Sequence, residues 1–124
     1  MSLLDSSILN DVKKALGLEG IDNFDTDVIL FINSALNNLT LIGVGPDTGM
    51  TIDGDTSKWS DFFTDPRLSM VKEYVYLTVK LSFDGNGSAT LMQQYKDKRD
   101  ELAWYIRELA DPDRHGFDLK SEES

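Results

Sequence analysis

Apolar side chains recur along this chain at intervals of three and four rather than two, and the pattern lays out four helices. In the first, about 6–16, Ile8, Leu9, Val12, Ala15 and Leu16 share one face. Ser6 or Ser7 offers a side-chain oxygen to an unpaired amide at its start. Lys13 and Lys14 suit the negative end of the helix dipole, and Gly17 suits the left-handed stop. In the second, about 26–41, Val28, Ile32, Ala35, Leu39 and Ile42 form the stripe, widened by Ile29 and Leu36. Asp25 or Thr26 caps it, Asp27 favours the positive end, and Asn33, Ser34, Asn37 and Asn38 make the wet side.

Residues 43–64 break this rhythm. Gly43, Gly45, Pro46, Gly49 and Gly54 oppose any helix, Met50-Thr51-Ile52 suits a short extended piece, and Trp59, Phe62 and Phe63 fall on one irregular turn. A loop of this length is uncommon in a compact domain and is often functional. It is expected to be free to meet neighbours, so that removing 43–58 leaves a folded monomer.

The third helix opens with Asp65 as cap and Pro66 at the first helical position. The run Tyr74 to Val79 has strong strand propensity. The polar positions Ser69, Glu73, Tyr76, Lys80 and Asp84 nevertheless follow a helical period, and nearly everything between them is apolar. This is expected to be the central, most buried helix. Gly85-Asn86-Gly87 turns the chain and Ser88 caps a fourth helix running to about 110. Its seam is Met92, Tyr95, Arg99, Leu102, Ile106 and Leu109, and the charged run Lys96–Glu101 faces water. The fold expected is all-α: a small antiparallel bundle of four main helices, the longest two at its centre, with a long loop between helices 2 and 3. Residues 1–110 form the helical domain and 111–124 an extended polar tail anchored only by Phe117 and Leu119.

The length of 124 residues fits one domain, and the 40% apolar content supports a core. No cysteine is present, which removes disulfides and thiolate metal sites. The N-terminus lacks the pattern of a signal peptide. No apolar run approaches the ~20 residues needed to span a bilayer. A soluble, intracellular protein is expected. The net charge of −10 is uneven: residues 1–66 carry eleven acidic and three basic side chains, whereas 67–124 carry eleven and nine. Such a surface repels phosphate and disfavours sequence-specific DNA binding, though not a passage through which DNA slides.

Candidate chemistry is sparse, and no enzyme, cofactor or metal is expected. The single histidine, His115, lies in the tail without the fixed neighbour a general base needs. Asp53-Gly54-Asp55-Thr56-Ser57 opens like a calcium loop, but Lys58 stands where glycine is required and Thr64 where a bidentate Glu is required. Gly43-Val44-Gly45 lacks the Gly-Lys-Ser/Thr of a phosphate loop. The cluster Trp59, Phe62 and Phe63 suits either a lid over the core or an anchor on a neighbouring subunit.

The order of blocks over 59–84 closely resembles the head–tail connector proteins of tailed phages and prophages. Those blocks are Trp59-Ser60-Asp61-Phe62-Phe63, Asp65-Pro66-Arg67-Leu68 and Val71 through Asp84. Asp25 through Ala35, Leu41-Ile42-Gly43-Val44 and Trp104 fit the same family, so the resemblance covers about 5–110. Gly85-Asn86-Gly87 departs from it, since relatives often carry prolines there. The resemblance implies a virion protein at the head–tail junction, assembled in the host cytoplasm. It implies a homo-oligomeric ring of about a dozen subunits below the portal, around the DNA channel, touching portal and tail-side proteins. Gly43, Gly45, Trp59, Phe62, Phe63 and Phe117 are the expected interface residues. The rival reading is a soluble acidic interaction module or a DNA-mimic regulator.

Overall fold

The computed structural model describes residues 5–46, 48–63, 70–83 and 88–110. Among these, the chain forms α1 (Ile8–Leu16), α2 (Asp25–Leu41), a single 3-10 turn (Trp59–Asp61), α3 (Val71–Phe83) and α4 (Ala89–Ala110). No strand forms among the described residues, and the helices pack on one another as a small bundle. The expected start of the third helix at Asp65 and Pro66, the Gly85–Gly87 turn and the 111–124 tail lie outside the described residues.

Local signals explain most boundaries. Ser7 Oγ accepts from the Asn10 amide 3.2 Å away, and Gly17 ends α1 at φ 78° with its amide turned back to the carbonyls of Lys13 and Lys14. Ser88 Oγ accepts from the Leu91 amide at 3.1 Å to start α4. The cap of α2 differs from expectation. Phe24 holds that position without a side-chain bond, and Asp25 is already helical. Its carboxylate lies 2.8 Å from Lys13 Nζ, a charged partner that outcompetes a local amide.

α3 packs on α1, α2 and α4 and forms the middle of the bundle. Val71, Tyr74, Val75, Leu77, Thr78 and Val79 are all buried. The Thr78 hydroxyl is accommodated by donating to the Tyr74 carbonyl at 2.9 Å. The fourth helix is not at the centre, contrary to the expected pairing of the two longest. Among the described side chains of α4, Leu102 and Ile106 are buried in the core, Tyr95 and Ala103 pack against it half-buried, and most of the first half of the helix is exposed. Its charged positions, from Lys96 to Glu101, cannot be desolvated without partners, which keeps that segment outside.

The loop after α2 is not free, which corrects the expectation drawn from its glycines. Val44, Met50, Ile52, Trp59 and Phe63 are all buried in the single core cluster. Asn33 holds the loop in place. Its Oδ1 accepts from the Ile52 amide at 2.8 Å and its Nδ2 donates to the Ile52 carbonyl at 3.0 Å. One side-chain amide thus satisfies both backbone groups of a buried residue, as a strand neighbour would. Further along, the Ile8 amide donates to the Ser57 carbonyl at 3.0 Å, and an antiparallel bridge joins Ser7 to Lys58.

Candidate assembly surface

Trp59 begins the 3-10 turn and is fully buried, so its indole N–H requires a partner. Asp11 of α1 supplies it, with Nε1 donating to Oδ2 at 2.8 Å. The same carboxylate accepts from the Ser6 hydroxyl and lies 3.5 Å from Lys72 Nζ of α3. Lys72 in turn donates to Ser6 Oγ at 3.2 Å and stands 5.9 Å from the indole centroid. This network joins α1, the loop and α3 at one point. Sequence patterning missed it, because Asp11 and Trp59 are 48 positions apart and no local spacing links them.

The expected interface residues are therefore divided. Trp59 and Phe63 sit inside the core, where they are almost entirely enclosed. Phe62 is half-buried and packs edge-to-face on Phe63, with ring centroids 6.5 Å apart. Gly43 and Gly45 both take φ 87°, a left-handed conformation that favours glycine. At Gly45 an added Cβ would also lie 2.8 Å from the Sδ and Cε of Met50. Phe117 lies outside the described residues.

The most exposed large apolar side chains among the described residues instead fall on α2 and α4. Leu30 is 61% exposed and Leu41 76% exposed on α2; Trp104 is 56% and Tyr105 47% exposed on α4. Leu30 and Leu41 are eleven positions apart, which is three helical turns, and so share one face. Trp104 and Tyr105 stack edge-to-face at 5.2 Å between centroids. Both helices pack on α3, and neither packs extensively on the other. The sequence names Leu41 and Trp104 only as positions that fit the family, since exposure of an apolar side chain depends on which neighbours pack over it.

Charge gathers at one end of the bundle. Lys13 is buried and lies 2.8 Å from both Asp22 Oδ1 and Asp25 Oδ1. Hydrogen bonds to Asp22 and then Asp25 hold its ammonium above the usual lysine pKa, against a smaller opposing effect of burial. The expectation of a simple dipole partner at the end of α1 understates this residue, which links α1 to the start of α2. Asp53 and Asp55 line the same depression of about 430 Å³. Among the described residues no group of three or more histidines or carboxylates is placed to hold a metal ion. No helix among them is long and apolar enough to cross a membrane.

Among the described residues the chain is a helical bundle with a continuous core, a pinned loop and exposed apolar residues on two helices. Its class is that of a structural connector. The chain belongs to the family described as phage connector protein, whose model matches residues 8–113. That membership gives it a structural connecting role among phage proteins. No curated protein matches the chain, and no solved structure does.

Proposed function

We propose that this chain is the repeating subunit of a ring at the head–tail junction, seated below the portal and surrounding the DNA channel. It works by contact and carries out no reaction of its own. The observation that carries this reading is the pair of exposed apolar patches, Leu30 with Leu41 on α2 and Trp104 with Tyr105 on α4. They are different surfaces, on two helices that each pack on α3. A contact between unlike patches is heterologous, and repeated it closes into a ring when the rotation allows. Large aromatics such as Trp104 are the side chains that dominate such interfaces.

Gly43, Gly45 and Phe62 belong to the proposed contact region through the loop, with Trp59 and Phe63 fixing it from beneath. Self-association, the portal and tail-side proteins are the proposed partners, in the virion and in the host cytoplasm during assembly. The net charge of −10 fits a channel wall that DNA passes without binding. Native mass spectrometry with and without the cognate portal tests the reading. A closed multiple of the 13.9 kDa chain is expected in at least one condition. A monomer in both, with no portal complex, overturns it.

A further inference from the structure

The two sides of α2 differ in kind. Val28, Ile32, Ala35, Leu36 and Leu39 are buried in the core. Leu30, Ser34, Asn37 and Leu41 lie on the opposite side of the same helix, within ~60° of arc of one another, and all four are exposed. They alternate at intervals of four, three and four, the rhythm of a seam between two helices.

Charge sets this face apart. No ionisable residue occurs from Val28 to Pro46, in a chain whose net charge is −10. The exposed side of α4, by contrast, carries Lys96, Asp97, Lys98, Asp100 and Glu101. Two copies of so acidic a chain repel each other where their carboxylates approach, so contact between copies is favoured where neither presents a charge. Leu30 and Leu41, 61% and 76% exposed, supply apolar area to bury there.

The four-three-four spacing reads the same from either end. Two α2 helices laid antiparallel, with a two-fold axis level with the bond between Ala35 and Leu36, place Leu30 of each copy opposite Leu41 of the other. The same axis sets Ser34 opposite Asn37, where hydroxyl and amide can hydrogen-bond. One polar layer within an apolar seam fixes register. Asp27, in the first turn of α2, decides direction. Parallel helices would set the two Asp27 carboxylates side by side. In the antiparallel pair Asp27 lies level with position 44 of the other copy, which separates the two carboxylates by ~25 Å, well beyond the screening length of ~8 Å.

We propose that free subunits pair about a two-fold axis through the outer face of α2. Three helical turns from each copy make a small contact, in the class below about 1,200 Å² whose complexes are weak and transient, so pairing depends on concentration. A paired subunit has its α2 leucines occupied and cannot offer them to a ring. That last consequence rests on the ring reading, whereas the pairing itself does not.

Sedimentation equilibrium of the full-length chain without portal, from about 10 µM to about 1 mM, tests the pairing. The mass should rise from 13.9 kDa towards twice that value and stop there. Leu30→Glu and Leu41→Lys should each weaken pairing about tenfold or more, because each sets an unpaired charge against a leucine. Their urea midpoints should stay near wild type, since both positions are exposed. An equimolar mixture of the two variants should recover most of the pairing: the introduced charges then face each other across the axis while the remaining leucines still meet. Wild type that stays monomeric to about 1 mM overturns the proposal, and so does a mixture no better than its separate variants. Growth past two copies also overturns it, because it requires unlike faces in contact and so leaves the ring reading standing. Failure of the ring reading shows elsewhere, as the absence of any closed assembly when the portal is present.

Discussion

Replacing Asn33 with alanine should release the loop from the bundle, and the cost follows from two hydrogen bonds. Asn33 contributes an acceptor 2.8 Å from the Ile52 amide and a donor 3.0 Å from the Ile52 carbonyl. Ile52 is only 4% exposed, so water cannot easily replace either bond. An orphaned buried backbone group costs ~1–3 kcal/mol, and a pair of them at one residue about 2–4 kcal/mol when the loop relaxes somewhat. A domain of this size is stable by ~5–15 kcal/mol, so the loss is a substantial fraction. With a urea slope of about 1.5 kcal/mol per molar, the unfolding midpoint should fall by roughly 1.3–2.7 M. Amide exchange locates the effect: Ile52 N–H should lose its protection while the α3 amides follow only the global change. Asn33→Asp keeps the acceptor and loses the donor, so it should fall between wild type and alanine. A midpoint change below ~0.3 M, with Ile52 still protected, would show that the clamp does not hold the loop and refute the reasoning.

Trp59→Phe removes the indole donor to Asp11 and leaves a void; a loss of about 2–4 kcal/mol in denaturant unfolding is expected, and a change under ~1 kcal/mol would deny the network its role. Gly43→Ala should cost ~1–2 kcal/mol from its positive φ alone, whereas Gly45→Ala should cost more because its Cβ also meets Met50; equal losses would remove the steric argument. Lys13 is raised above 10.5 in the fold, so its contribution is complete below the ordinary lysine pKa and is lost as pH climbs through the raised value. The unfolding midpoint should therefore decline in that alkaline range more steeply in wild type than in Lys13→Met, and parallel curves would contradict the ion-pair account. Deleting 43–58 removes the buried Val44, Met50 and Ile52, worth ~1.5–3 kcal/mol each, and should abolish cooperative unfolding by circular dichroism; a folded, cooperative deletion would mean the loop is dispensable to the core.

The helices were legible because their signals are local. The stripe Val28, Ile32, Ala35 and Leu39 is buried throughout, and the polar rhythm of Glu73, Tyr76 and Lys80 outweighed the strand propensity of Tyr74 to Val79. Ser7, Gly17 and Ser88 do at the helix ends what their chemistry suggests. The loop was misjudged because glycine and proline report what a segment cannot be, not what it rests on. Asn33 illustrates the limit. On a helical wheel it belongs to the wet side with Asn37 and Asn38, and only its contact with Ile52, 19 positions away, makes it structural. Asp25 and Lys13 likewise read as cap and dipole partner, and tertiary proximity paired them instead. The family resemblance was legible through the order of packing blocks, and the match over residues 8–113 bears it out.

The placement of the aromatic side chains changes where an interface should be sought. Among the described residues Trp59 and Phe63 are the largest that are fully buried, and a side chain already enclosed by its own chain has little area left to bury against another. Their substitution would damage folding first, and any loss of assembly would follow from that. Leu41 and Trp104 are the opposite case. Each leaves more than half of its surface in water, so placing a charge there removes an apolar contact without opening the core. If Leu41→Asp or Trp104→Asp leaves the urea midpoint near wild type and stops subunits from associating, the defect belongs to the contact itself. A loop deletion cannot separate the two effects, because the same residues that would meet a neighbour are continuous with those that close the bundle.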